Sequence, residues 1–600
     1  MQQAKRLAGV LVDRNAGFNE VVAHLGKFNV QMRHCCAVVQ ERKDVAADRL
    51  GPDGRGIWVS VCHRQILTAA GGDNHAMSLM NRRGAARTCR SALVACILPW
   101  LGCVAALTAG AAWALPPEVA AALARAGVPQ RAVSVLVQAL PATPTLVITP
   151  TPAAVNVPDS GNSITTTPSA ITATVASGPR LAHRADASVN PASVMKLVTT
   201  YAALHTLGPD YTWKNRLLID GTVVAGGVLE GNLIVRGGGD PKLVLERINE
   251  LFERVRAKGV REIRGDIILD RSAFNVPDKN PADFDDEPLR PYNAAPDGLL
   301  VNFKSLIFTF TPDIAGKRVL VKYEPPIAGV DIPTELPLSS GPCGDWKARL
   351  QADFFNPAKV SFAGRYSATC GDKVWPVAYS APRAFAGRVI EGMWLASGGK
   401  LTGSVREDVV PRTSRPFFTA ESLPLSDIIA DINKFSNNVM AQQVFLTLSL
   451  GARNGRAASF DASKAQLAAW WKKNLPGFSL PTIENGSGLS RKERTNVLSL
   501  TGLLQHAAAS KQAEVFTASL GVAGVDGTVA RMKDRNADSV AIGNAQLKTG
   551  TLRDVTAVAG YATGRSGQRY TVVGIINHPN APAARPALDK LVEWTIQDVR

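Results

Sequence analysis

The feature that most limits how this chain can fold lies almost a hundred residues in. From Ala92 to Ala114 the sequence ALVACILPWLGCVAALTAGAAWA carries no charge, and the stretch before it from Met77, MSLMNRRGAARTCRS, carries Arg82, Arg83, Arg87 and Arg90. A basic head, an apolar run and the small-residue ending Ala112-Trp113-Ala114 form the pattern of an export signal cleaved near Ala114. The alternative is an uncleaved anchor, because about 20 apolar residues can span a bilayer. A lipoprotein cysteine at Cys96 or Cys103 fits less well, since the run before Cys96 is short and Trp100 stands ahead of Cys103. An export signal does not work behind 76 residues of ordinary protein. The expected start is therefore Met77 or Met80, with residues 1–76 a start-codon misassignment, 77–114 the signal, and the folded protein in the periplasm.

Composition then applies to the remainder. Hydrophobic residues are 46% and charged residues 20% of the 600, an ordinary globular balance that excludes a disordered or multi-span chain. The formal charge of +17 favours an anionic partner. The first 114 residues hold 14 Lys and Arg and 7 Asp and Glu, which leaves 53 against 43, or +10, beyond them. No nucleic-acid recognition motif accompanies that charge, and export leads away from nucleic acid. Anionic cell-wall polymer is the expected partner, with loose association at the membrane surface. Only Cys343 and Cys370 lie beyond the signal. In an exported chain such a pair is expected as a disulfide, the alternative being two free buried thiols.

Pro116–Ala126 has helical spacing and Val133–Leu140 alternates as a strand. Six prolines among Thr and Ser then mark residues 141–170 as an extended insertion. Strand-type runs follow at Ile171–Val175 and Leu181–His183. Asn190 and Pro191 read as N-cap and first position of a helix that runs to Leu207 and closes at Gly208-Pro209. Short β-type runs such as Leu229–Val235 and Ile263–Leu269 fill the region to about 400, predicting inserted β-rich domains over 215–305 and, nested, 306–400. Helices return over Pro424–Leu450 and Leu498–Ala509. Gln546–Thr551, Thr556–Thr563 and Arg569–Ile576 read as strands, the last two joined at Gly564-Arg565-Ser566-Gly567, before a helix from Ala587. Residues 115–214 and 401–600 are left to form the catalytic domain.

Ser193-Val194-Met195-Lys196 sets a hydroxyl and an amine on one face at a helix start. The helix N-terminus and partial burial both disfavour an ammonium, so Lys196 can take the Ser193 proton and make a nucleophile. Alone, the pattern is no more than a serine beside a solvated lysine, and it recurs at Ser397–Lys400 in a Gly-rich turn. Two further clusters change that. Ser436-Asn437-Asn438 falls between helical stretches, where Ser436 can relay a proton to a leaving amine and Asn438 can hold a substrate amide. Lys548-Thr549-Gly550 falls on an edge-type strand, where Lys548 and Thr549 can bind a carboxylate and Gly550 can leave room for a peptide alongside. His183, His205, His506 and His578 are scattered and read as structural or surface residues. No metal site and no cofactor are expected, for there is no His-Glu-x-x-His pattern and the Gly237–Gly239 run lacks the Lys of a phosphate loop.

Ser-x-x-Lys, Ser-x-Asn and Lys-Thr-Gly in this order resemble the three motifs of penicillin-binding proteins and serine β-lactamases. The long separation of Lys196 from Ser436 is similar to the D-alanyl-D-alanine carboxypeptidase/endopeptidase family of low-molecular-weight class C penicillin-binding proteins. Gly237-Gly238-Gly239-Asp240-Pro241, Pro291-Tyr292-Asn293-Ala294, Asn485–Arg491 and Gly524–Thr528 look like further stretches of that family. The resemblance covers about 116–600, apart from the Pro/Thr insertion. It implies an α+β fold of the β-lactamase/transpeptidase type, an antiparallel sheet flanked by helices, with inserted β-rich domains. It also implies a serine DD-peptidase acting on peptidoglycan stem peptides and acylated at Ser193 by β-lactam antibiotics. Lys196 would be the general base, the amides of Ser193 and Thr551 the oxyanion hole, and Asp240, Arg491 and Arg553 contacts for a charged stem-peptide side chain. A β-lactamase, or a murein-binding protein with impaired catalysis, are the alternatives.

Overall fold

The computed structural model describes residues 114–141, 178–411, 414–450 and 456–599. The start codon, the export signal and most of the Pro/Thr insertion, with Ile171–Val175, lie outside the described residues. Among those described, no helix is long and apolar enough to cross a membrane.

Six antiparallel strands make the central sheet, in the order Gly521–Val522, Ala545–Leu552, Val555–Thr563, Arg569–Asn577, Val133–Ala139, Leu181–His183. Alternation on the strands supplies two apolar faces. Ala557, Ala559, Tyr561, Val573 and Ile575 pack with helices Lys196–Leu207, Leu425–Phe435, Asn438–Leu450 and Val497–Ala508. Val558, Ala562, Val572 and Ile576 face the other way, onto Pro117–Arg125 and Arg585–Ile596. This is the expected antiparallel sheet flanked by helices. The hairpin falls where its turn residues set it, Val558 opposite Gly574.

The inserted region departs from expectation in two ways. Its first sheet joins Lys214–Val224, Val228–Arg236, Glu262–Ile263 and Ile267–Asp270 to the returning strands Lys400–Leu401, Val405–Glu407 and Phe418–Glu421. The inserted lobe therefore closes near 421 rather than 400, because Phe418–Glu421 pairs antiparallel with Lys214–Leu217. The second sheet, Ser305–Asp313, Arg318–Glu324, Glu335–Ser339, Tyr366–Ser367 and Lys373–Ala378, shares one continuous apolar core with the first. The lobe also holds two helices, Leu245–Ala257 and Pro382–Ala396. Ile248, Leu251, Phe252 and Val255 carry the helical spacing that reveals the first of them. Cys343 and Cys370 are joined as a disulfide in the second sheet's surroundings, Cα–Cα 4.7 Å.

Candidate active site

The nucleophile's entry differs from the simple capped helix expected. Pro191 is not the first helical residue, because Ala192 turns left-handed, φ 47°. Asn190 Oδ1 accepts from the Ala192 amide at 2.8 Å, closing a tight turn ahead of a 3-10 segment Ala192–Met195 that runs into the α-helix at Lys196. Val194, Met195 and Lys196 are buried, while Ser193 is partly open. The turn thus presents one hydroxyl and hides the lysine behind it.

Lys196 Nζ lies 2.9 Å from Ser193 Oγ, 2.6 Å from Asn438 Oδ1 and 2.5 Å from the Ser487 carbonyl. Burial pushes its amine down to about 7, against a raising influence from Glu493. Burial, rather than the helix terminus, is the principal cause. Two of the three neighbours are carbonyl oxygens and can only accept. A neutral amine has two hydrogens, and both are taken by those carbonyls. Its lone pair is then left for the Ser193 hydroxyl, the arrangement a general base requires.

Ser436 sits at the break between helices Leu425–Phe435 and Asn438–Leu450, in a left-handed conformation with φ 59°. Its Oγ accepts from Lys548 Nζ at 2.8 Å, and the same nitrogen donates to the Thr549 carbonyl at 2.7 Å. Lys548 is fully buried and held well below the ordinary lysine range by burial, then by Lys196 and Arg585. Asn438 does not stand free to take a substrate amide as expected. Its Oδ1 is on Lys196 and its Nδ2 donates to the Tyr292 carbonyl at 3.2 Å, so its side chain orients the base.

Lys548, Thr549, Gly550 and Thr551 lie on the strand Ala545–Leu552. The outermost strand covers only Gln546 and Leu547, so the outer edge is uncovered from Lys548 onward. That edge can accept an extended peptide. Gly550 has a different use from the expected one. A Cβ there would stand 2.7 Å from the Pro191 carbonyl oxygen and 3.2 Å from Ser193 N, so the missing side chain makes room for the nucleophile's turn. Thr549 Oγ1 meets Thr528 Oγ1 at 2.7 Å, and Thr551 Oγ1 accepts from Arg585 at 2.6 Å.

The three candidates for the substrate side chain separate. Asp240 is 3% exposed, its oxygens taken by Asn215 Nδ2 and the Lys242 amide. Its own carbonyl and that of Gly239 receive Gln443 Nε2, so the segment docks the lobe onto the helix bearing Asn438, and both Asp240 carboxylate oxygens are already engaged. Arg491 is half-exposed, paired with Asp554 at 2.7 Å and lying over the Phe284 ring. Arg553 is exposed on the turn after Leu552.

Sequence reasoning marked Asn485–Arg491 only as a family-like stretch and gave no role to Ser487 or Glu493 in the loop between Thr482 and Arg494, which are joined by two backbone hydrogen bonds. It supplies the Ser487 carbonyl and contains Glu493, fully buried. The second Ser-x-x-Lys comes apart as expected, Ser397 capping a helix and Lys400 starting a strand. His205 and His506 are not scattered: they meet at 5.4 Å beside Tyr201 and Trp470. Among the described residues no group of three or more His, Cys, Asp or Glu side chains is placed to hold a metal ion.

A buried lysine between a serine and two carbonyls, beside an open strand edge on a helix-flanked sheet, defines an active-serine hydrolase of the penicillin-binding-protein and β-lactamase fold. A sequence model of the D-Ala-D-Ala carboxypeptidase 3 (S13) family matches residues 160–597, and the chain belongs to that family. Among its relatives, a D-alanyl-D-alanine carboxypeptidase from Actinomadura sp. is 28% identical over 66% of this chain and 74% of its own length. The D-alanyl-D-alanine carboxypeptidase DacB of Haemophilus influenzae is 24% identical over 64% and 80%. The crystal structure of penicillin-binding protein 4 from Haemophilus influenzae shares the fold with TM-score 0.57 at 22% identity, covering 69% of this chain and 93% of that one.

Proposed function

We propose that this family member is a penicillin-sensitive serine DD-peptidase that hydrolyses D-Ala-D-Ala termini, cross-links, or both, in peptidoglycan. The observation that carries the reading is the Lys196 amine, buried, within hydrogen-bond distance of the Asn438 and Ser487 carbonyls and of Ser193 Oγ at 2.9 Å. Ser193 Oγ attacks the carbonyl of the penultimate D-Ala as Lys196 removes its proton. The Ser193 and Thr551 amides receive the developing oxyanion. Collapse breaks the C–N bond, and the proton held on Lys196 returns through Ser436 to the departing D-Ala nitrogen. Lys548 and Thr549 hold the terminal carboxylate, and Gly550 keeps the strand close to the nucleophile. Water then attacks the ester, freeing the shortened peptide and restoring Ser193.

A β-lactam presents a strained amide and a carboxylate where the peptide presents its D-Ala-D-Ala amide and terminus, and acylates the same oxygen. Arg491 and Arg553 border the crevice where a charged stem-peptide side chain would lie. The net positive charge beyond residue 114 suits an exported enzyme on anionic wall polymer, with loose attraction to the membrane surface. Purified protein incubated with cross-linked muropeptides, with products read by mass spectrometry, separates release of D-Ala from opening of cross-links. Fluorescent penicillin labels wild type and not Ser193→Ala. Labelling that survives this substitution overturns the assignment of Ser193. Rapid penicillin turnover favours a β-lactamase, and no cleavage of any muropeptide favours a binding protein.

A further inference from the structure

Behind Lys196 lies a carboxylate that the reaction above does not use. Glu493 is 0% exposed. Its Oε1 accepts from three successive backbone amides, Glu484 at 2.9 Å, Asn485 at 3.1 Å and Gly486 at 3.3 Å. Its Oε2 is buried with no hydrogen-bond partner among the described residues. One side chain thus fills the interior of the loop closed between Thr482 and Arg494 and curls its first turn around a single oxygen.

That turn meets the catalytic pair on two sides. Asn485 Oδ1 accepts from the Ser487 amide at 2.9 Å and from Ser487 Oγ at 2.7 Å, which directs the Ser487 carbonyl at Lys196 Nζ. Gly488, φ +80°, lies so close to Ala192 that a Cβ would fall 2.0 Å from the Ala192 carbonyl oxygen, next to Ser193. The loop therefore touches both the base and the backbone of the nucleophile. A solvated loop needs no buried carboxylate, and leaving Oε2 without a partner costs stability. That cost is retained at the one loop that sets the hydrogen-bond geometry of Lys196.

We propose that Glu493 is a positioning residue for the Ser193–Lys196 pair: it braces the 484–487 turn so that the Ser487 carbonyl occupies one lysine hydrogen, and it sets a buried carboxyl beside the base. The inference rests on the DD-peptidase reading and adds a residue to it. The electrostatic half agrees with the opposing influences on Lys196, where burial lowers and Glu493 raises. Burial raises the Glu493 carboxyl, opposed by the three amides and by Lys196. The other titratable groups around the pair are Lys548 on the adjacent strand, Arg585 next to Lys548, and Glu484 at the loop entrance, whose Oε2 takes the Ser490 hydroxyl at 2.6 Å. Glu493 is thus a buried carboxyl coupled to the buried Lys196.

The test is the pH dependence of Ser193 acylation by fluorescent penicillin in the full chain, for wild type, Glu493→Gln and Glu493→Ala. Glutamine keeps an oxygen for the three amides and removes only the charge. Its acid limb is expected to move to lower pH by about one unit, with the alkaline plateau retained within about threefold. Alanine releases the turn, and its plateau is expected to fall by about tenfold or more at every pH. A Glu493→Gln profile superimposable on wild type, or a folded Glu493→Ala with the wild-type rate, overturns the proposal. If alanine does not fold, the glutamine profile alone decides. Wild-type protein that penicillin does not label refutes the DD-peptidase reading instead, so the two failures are distinct.

Discussion

Gly550 and Pro191 touch across the active site: the Cβ that Gly550 lacks would stand 2.7 Å from the Pro191 carbonyl oxygen. Both partners are backbone, so neither can swing aside. Gly550→Ala must therefore separate the Lys-Thr-Gly strand from the turn that carries Ser193. Acylation by penicillin is expected to slow by about tenfold or more, with about 1–3 kcal/mol lost in denaturant unfolding. Wild-type acylation by the alanine variant would contradict this account of the close approach.

The proton affinity of Lys196 sets a pH profile. Its amine is held down to about 7, so the neutral base is available above that pH and lost below it. The rate of acylation should be level on the alkaline side and fall about tenfold per pH unit well below the midpoint. Stopped-flow or time-resolved labelling from pH 5 to 9 reads the limb directly. A limb centred near the usual carboxylate range would give the base role to another group.

Lys196→Ala removes the base while Ser193 stays in place. A loss of roughly two to four orders of magnitude in acylation is expected, with the melting temperature lowered, since the buried Asn438 and Ser487 carbonyls lose their donor. Mass spectrometry of the penicilloyl adduct over hours, beside a thermal melt, separates lost chemistry from lost fold.

Asp240 and Arg491 should behave oppositely. Asp240→Ala removes the carboxylate that receives Asn215 and the Lys242 amide, so stability is expected to fall by about 1–3 kcal/mol with KM for stem peptides unchanged. Arg491 is half-exposed and, on the proposed reading, meets the stem-peptide side chain, so Arg491→Ala is expected to raise KM with stability unchanged to within about 0.5 kcal/mol. Steady-state D-Ala release with matched unfolding curves tests both.

The Cys343–Cys370 bridge closes a loop in the inserted lobe, at a sequence separation of 27. Replacing both with Ser is expected to cost about 2–4 kcal/mol, read as a lower melting temperature of the lobe. Penicillin labelling of Ser193 at 25 °C should persist, because neither cysteine contacts the catalytic sheet's cores.

What could be read in advance follows from how each feature is encoded. Ser193, Lys196, Ser436 and Lys548 stand in short contiguous patterns, and the strands at 546–576 show alternation with turn residues between them. The structure sets Lys196 beside Ser193 and Lys548 beside Ser436. The Ser487 carbonyl belongs to the backbone, so no residue type announces it. Glu493 acts through a loop that closes on itself, and one glutamate among many carries no signal of burial. Asn438 and Gly550 were recognisable as participants, but which neighbour each serves depends on packing between segments far apart in the chain. The helix Leu245–Ala257 lies among β-type runs and was not expected, although Ile248, Leu251, Phe252 and Val255 carry helical spacing.

The pairing of the first strand with the last one bears on how the molecule is assembled. Val133–Ala139 lies directly beside Arg569–Asn577, and Thr571 bonds to the Gln138 carbonyl across a separation of 433 residues. The inserted lobe, by contrast, closes within 214–421 and can form early from its own neighbours. During synthesis the catalytic sheet must wait for the final hairpin, since a contact of such span carries the largest loop-closure cost and needs both ends present. A chain interrupted before residue 569 would keep its Ser193 and Lys196 and still have no sheet on which to hold them.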